Sequence, residues 1–176
     1  SCTIPAGTPA GAGYRIRITT SSPALTSSDN GSNLAVQAAV GNPTVFGNGT
    51  WNVHCFETRN DYTNNYQGFY TENNLSFTTT ARWANTASPS SANAASGSAY
   101  SGCSIGTANY SYSYKRTNIP CGYYQIDIPS HRAEVYVIIN GTTVFQHTVC
   151  CDAHTNVWRG IIQPTDNIEI QSSNSS

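Results

Sequence analysis

The chain has 176 residues, enough for one domain with an appendage and for a substantial core. Charged residues make up 10% of it, with a formal net charge of -1 and Lys115 as the only lysine. That excludes nucleic acid, which needs clustered cations, and no run nears the roughly 18 apolar residues of a membrane span.

Polarity is supplied instead by 21 Ser, 21 Thr and 18 Asn. Such a surface hydrogen-bonds water, sugars or copies of itself and repels its neighbours little. No methionine occurs, so the sequence reads as starting at a processing site from which a signal peptide has been removed.

The first 40 residues differ in character from the rest. Ile4 to Gly11 carries two prolines that keep it extended. Tyr14 to Thr19 alternates apolar and polar residues and predicts a strand, and Asn33 to Ala39 predicts a second. Between them, Ser21-Ser22-Pro23 and Asp29-Asn30-Gly31-Ser32 have turn chemistry. Two strands cannot build a core of their own. This arm, residues 1–40, must therefore pack on its own body or on another copy, presenting Tyr14, Ile16, Ile18, Leu34 and Val36.

The body, residues 41–176, predicts short strands near 49–56, 66–71, 75–80, 110–116, 122–128, 135–140, 143–147 and 168–171. Only the Ala-rich stretch Ala92 to Ala95 suggests a helix, and residues 84–102 read as a long loop. Val135 to Ile139, then Asn140-Gly141, then Thr143-Val144-Phe145 is a hairpin signal, because Asn and Gly both tolerate the positive φ of a type I′ turn. Many short strands at turn-punctuated spacing indicate an all-β fold: an antiparallel, jelly-roll-like β-sandwich with a two-strand N-terminal arm.

Cys2, Cys55, Cys103, Cys121, Cys150 and Cys151 form an even set in a loop-rich chain, which reads as disulfides made outside the cytosol. A direct bond between Cys150 and Cys151 would close a strained ring. Each is expected to reach a different partner among Cys103 and Cys121, with Cys2 nearer Cys55. A zinc site is the rival reading, but no CxxC pair is present.

The vicinal cysteines are followed by Asp152, His154, Asn156 and Trp158. These could line a small ligand site, against the alternative that Asp152 and Asn156 bond loop backbone. His131, His147 and His154 could converge on a metal, but they lack helical i, i+4 spacing and read instead as three separate surface histidines. Asp127 and Glu134 could pair as acid and base, although each sits in strand sequence and reads as part of a solvated face. Tyr110, Tyr112 and Tyr114 share one strand face, suited to sugar stacking, to an interface or to the core. No nucleophile elbow, HExxH or P-loop is present, and the chain is not expected to be an enzyme.

Several segments carry a resemblance: Thr50-Trp51-Asn52-Val53, Ser101-Gly102-Cys103, the run Cys121 to Pro129, Ile139-Asn140-Gly141 and the run Cys150 to Trp158. They resemble modules of large secreted surface proteins of Bacteroidetes, which are modular, adhesive and exported by the type IX route. The arm, from Ile4 to Val36, resembles the closing strands of an immunoglobulin-like repeat in such proteins. The region Asp127 to Asn140 is also similar to the protective-antigen-type lectin sandwich, including the GLEYA-like yeast adhesins. In that family an aspartate pair chelates the calcium that grips sugar hydroxyls. Here the matching positions read His131-Arg132-Ala133-Glu134. The pair is absent and Arg132 places a cation there, so the resemblance implies the fold without calcium, and no cofactor is expected.

The sequence thus predicts an extracellular, cell-surface structural or adhesive module. Its expected partners are other copies of itself, joined in a fibre by strand exchange through the arm. A carbohydrate-binding, lectin-like module of a secreted adhesin or enzyme is the alternative.

Overall fold

The computed structural model describes residues 4, 8–36, 39–79, 88–92 and 96–174. The chain divides into two compact units, residues 1–38 and 39–176. It is all-β, with antiparallel sheets throughout except for one two-residue parallel pairing among the described residues.

In the first unit, β1 (Gly11–Tyr14) pairs with β4 (Leu34–Val36), and β2 (Arg17–Ser21) pairs with β3 (Ala24–Asp29). Two ribbons of two strands thus replace the expected single pair. The predicted run from Tyr14 breaks at Arg15 and Ile16. There the Arg15 guanidinium donates to Asn33 Oδ1 at 3.0 Å and to Asp29 Oδ1 at 3.1 Å, and the Ile16 amide donates to Asn30 Oδ1 at 3.1 Å. These side-chain bonds replace ladder bonds and let the chain change partner strand. Ala24 to Asp29 shows little alternation, yet it becomes a strand because the Ser22-Pro23 turn returns it along β2. The strand expected over 33–39 is confined to Leu34–Val36, and residues 37 and 38 lie outside the described residues.

The body runs β5 (Gly47–Asn48), β6 (Trp51–Phe56), β7 (Tyr66–Glu72), a 3₁₀ turn (Pro89–Ser91), β8 (Ser101–Gly102), β9 (Ser111–Thr117), β10 (Gly122–Ile128), β11 (Val135–Ile139), β12 (Thr142–His147), β13 (His154–Ile162) and β14 (Ile168–Ser173). The large sheet has the order β12-β11-β14-β9-β6-β7-β8, with β5 beside β9. A ribbon of β10 and β13 forms the second layer, and Trp158, Tyr124 and Ile162 from it pack into the main core. Asn140 and Gly141 form the β11–β12 turn with φ of 50° and 77°, as their identities required.

Two predicted features differ. Residues 75–79 form no strand, and Thr80 lies outside the described residues. Ala92 follows the 3₁₀ turn, while residues 93–95 and 81–87 are outside the description.

Strand β9 organises the core. Tyr112 and Tyr114, with Tyr110 just before the strand, are buried against Val53, Cys55, Tyr70, Trp51 and Ile168. Packing is therefore the main role of the tyrosine row. The opposite face of β9 is also covered. The Ser111 hydroxyl donates to Thr58 O, the Ser113 hydroxyl to Glu169 Oε1, and Lys115 Nζ to Pro43 O. His54, on the neighbouring strand, is buried on this side with Nε2 2.9 Å from Val45 O.

Glu134, expected on a solvated face, is buried. It accepts from the Ser173 hydroxyl at 2.7 Å and pairs with Arg59 at 3.3 Å. Burial works to raise its pKa, but the Ser173 and Arg59 hydrogen bonds outweigh it and hold the carboxyl below the usual range. For His54, burial disfavours the cation and lowers the pKa, against the opposing Val45 carbonyl.

Both groups make stability fall on acidification. The neutral His54 ring contributes fully above about pH 6.5, and this is lost as pH falls through its lowered value. The Glu134 carboxylate contributes above about pH 4.3, and this is lost as pH falls further. Denaturant melts from pH 8 to 3 should show His54→Asn flattening the upper part of the profile and Glu134→Gln the lower part. At pH 7, Glu134→Gln should cost about 1–3 kcal/mol, since it weakens a buried charged hydrogen-bond set while Arg59 can rehydrate.

Candidate functional site

The pairing of strands brings three distant histidines to one end of the body. In the β11–β12 ladder His147 lies opposite Val135, and in the β10–β13 ladder His154 lies opposite Ile128. The loop from Ile128 to Val135 therefore starts beside His154 and ends beside His147, and His131 is in its middle. His131 is buried, while the other two are half-buried. His131 Nε2 is 3.2 Å from His154 Nε2 and 3.3 Å from His147 Nδ1. This corrects the expectation of three separate surface histidines. Helical spacing was the wrong test, because strand ends joined through a sheet can converge from any sequence distance.

The surrounding contacts orient the rings. His131 Nδ1 lies 2.6 Å from the Ala133 carbonyl oxygen, which can only accept, so this nitrogen carries the proton. Burial first, then the neighbouring His147 and His154, lower the His131 pKa against the pull of that carbonyl. His147 Nε2 is 3.6 Å from Asp152 Oδ2.

The candidate loop residues separate. Asp152 stays exposed beside His147, and His154 joins the cluster. Asn156 takes φ of 55° and donates its backbone N–H to Asp127 Oδ1 at 2.5 Å. That bond, followed by one from Gln125, holds Asp127 below the usual carboxylate range. Trp158 turns inward to the core and is not a loop residue. Between the ribbon and the large sheet lies a cavity of about 610 Å³, whose lining includes Trp51, Tyr114, Ile126, Ile168, Ser130 and His131.

The cysteines also differ from expectation. The Cys150 and Cys151 sulfurs lie within disulfide distance of each other, and neither is placed against Cys103 or Cys121. Cys151 takes φ of 80°, uncommon for a residue with a side chain, in the loop 148–153 that links His147 to His154. Cys55 is a free thiol in the core, pushed far up in pKa by burial, and Cys121 is an exposed free thiol. Cys2 lies outside the described residues.

Comparison with family models, with curated proteins and with solved structures finds no match for the chain.

Thiol labelling should follow this arrangement. Without reductant, Cys121 is alkylated in the folded protein and Cys55 only after denaturation. The fragment Ala133–Arg159 stays unlabelled and two hydrogens lighter in mass spectrometry until it is reduced. A crosslink from Cys150 or Cys151 to another fragment would contradict it.

Proposed function

We propose that the chain is an extracellular structural or adhesive module that associates with copies of itself through its N-terminal arm. The observation that carries this reading is the arm's exposed apolar side chains. Ile18 of β2 and Leu25 of β3 belong to one ribbon, Ile18 at its register shift and Leu25 opposite Thr20. These two side chains are 67% and 64% exposed. Among the described residues each ribbon of the unit has two strands, too few to bury a face unaided.

The acceptor in this reading is an open sheet edge of a neighbouring copy. Among the described residues, strand β12 ends the large sheet and pairs in it on one side. Addition there gains backbone hydrogen bonds for affinity and alternate side chains for register. Head-to-tail addition does not close, and so builds filaments. The sparse charge of the chain suits close packing of copies, and the resemblance to modular secreted surface proteins agrees with a location outside the cell.

The lectin-like alternative is left with less than the sequence offered it. The tyrosine row is in the core, and no aspartate pair stands at His131–Glu134. What remains to it is the cavity between the ribbon and the large sheet, with exposed Asp152 beside His147, and a glycan array run in calcium and in chelator tests that.

Negative-stain electron microscopy of the full chain should show filaments or open-ended oligomers. Removal of residues 1–38, or the pair Ile18→Asp and Leu25→Asp, should leave monodisperse particles. A full chain that remains monomeric at high concentration would refute self-assembly through the arm.

A further inference from the structure

We propose that His131, His147 and His154 form a binding site for one divalent transition-metal ion of the zinc class, leaving a fourth position for water or a ligand oxygen. This site belongs to the body alone and does not depend on the arm.

Geometry carries the inference. The three donor nitrogens lie within 4.8 Å of one another. Two of the separations, 3.2 and 3.3 Å, share His131 Nε2. Metal–nitrogen bonds of about 2.0–2.1 Å at tetrahedral angles place neighbouring nitrogens roughly 3.3–3.4 Å apart. The two separations at His131 match that spacing, and the third pair lies within 4.8 Å, close enough for a small rotation of the half-buried His147 and His154 rings to complete the set.

Hydrogen bonding among the rings accounts for only part of this. With Nδ1 protonated toward Ala133, the neutral His131 ring has a single lone pair, on Nε2. One N–H can be aimed at it, from His147 or from His154. The second short contact is then unexplained. A cation between the rings accepts a lone pair from each and accounts for both contacts.

The outer partners fit the same centre. Metal-bound imidazoles usually donate their other N–H to a carbonyl or a carboxylate, which fixes the tautomer and raises the basicity of the ligating nitrogen. His131 does so to Ala133 O. His147, ligating through Nδ1, directs Nε2 toward the Asp152 carboxylate. Three imidazoles select zinc, copper, nickel or cobalt, whereas calcium and magnesium need a shell of oxygens.

The ion would also join the two layers, since His154 starts a strand of the ribbon and His147 ends a strand of the large sheet. The loop between them carries the Cys150–Cys151 pair, so no thiolate competes as donor in the oxidised chain.

Titration calorimetry and thermal melts on the oxidised full chain, with zinc chloride as the probe and calcium and magnesium chlorides as controls, test the proposal. One zinc ion per chain should bind and raise the melting temperature, with no equivalent effect of the two control ions. His154→Gln and His147→Gln each replace a half-buried side chain and should lower zinc affinity at least 100-fold. Asp152→Asn should lower it about 10–100-fold, as loss of an outer partner does. Cobalt(II) should give the visible bands of a four-coordinate site, and these should be absent in His154→Gln. The absence of saturable one-to-one zinc binding would overturn the assignment. So would binding that persists unchanged in both histidine variants, which would place the ion elsewhere.

Discussion

Strand β9 is the constraint on which the body depends, because it is paired on both edges and buried on both faces. Its neighbours β6 and β14 are brought together only through it. Its aromatic face supplies much of the apolar burial. Three buried tyrosines at roughly 150–250 Å² each, and about 25 cal/mol per Å², give on the order of 10 kcal/mol before entropy is counted. Its other face carries short hydroxyls and Lys115, each with a polar partner. A buried polar face is tolerable only when satisfied in this way. This double burial fixes the register of β6 and β14, and through β14 it fixes β11 and β12.

The histidine cluster sits two steps downstream of that register. Strand β11 sets where His147 falls on β12. The ribbon must then be seated on the sheet for His154 to meet it, and Trp158 and Ile162 seat it by entering the β9 core. The ladder slips between Ile126 and Ile128, where two residues of β10 span from Trp158 to His154 on β13. Asn156, in its left-handed conformation, takes up the surplus and is held by Asp127. Such a bulge re-aims the side chains beyond it. Asp127, an unremarkable strand carboxylate in sequence, is thus a positioning residue for the end of the ribbon that carries His154.

The legible part of the sequence was what local chemistry decides. The β11–β12 hairpin followed from Asn140-Gly141, and the strands near β6, β7, β9, β10 and β14 from their alternation. No strand is predicted over β13, for a physical reason. The bulge at Asn156 places Val157 and Trp158 both partly inward, so the period of two is broken within the strand itself. Because β13 was missed, the pairing that carries His154 to His131 was missed with it. The closeness of the Cys150 and Cys151 sulfurs is not legible either, because the sequence does not show the positive φ of Cys151. The alternation from Tyr14 to Thr19 misled in the opposite sense. A clean pattern was divided between two ribbons by the side-chain bonds of Arg15 and Asn30.

The two units differ in how their order is sustained. Ordering a residue costs roughly 1–2 kcal/mol of backbone entropy, and the body offsets that by burying a continuous core. In the arm no described strand has a buried residue, and three of its large apolar side chains, Ile16, Ile18 and Leu25, are exposed. Its internal bonds are mostly short-range polar contacts such as Arg15 with Asp29, and exposed pairs of that kind contribute at most about 1 kcal/mol. An apolar surface that covers Ile18 and Leu25 would supply what the arm lacks. On the function proposed for this chain, folding of the arm and association of copies are therefore one thermodynamic step. The sparse charge of the sequence matters at that step, since few like charges need be brought together when the surfaces meet.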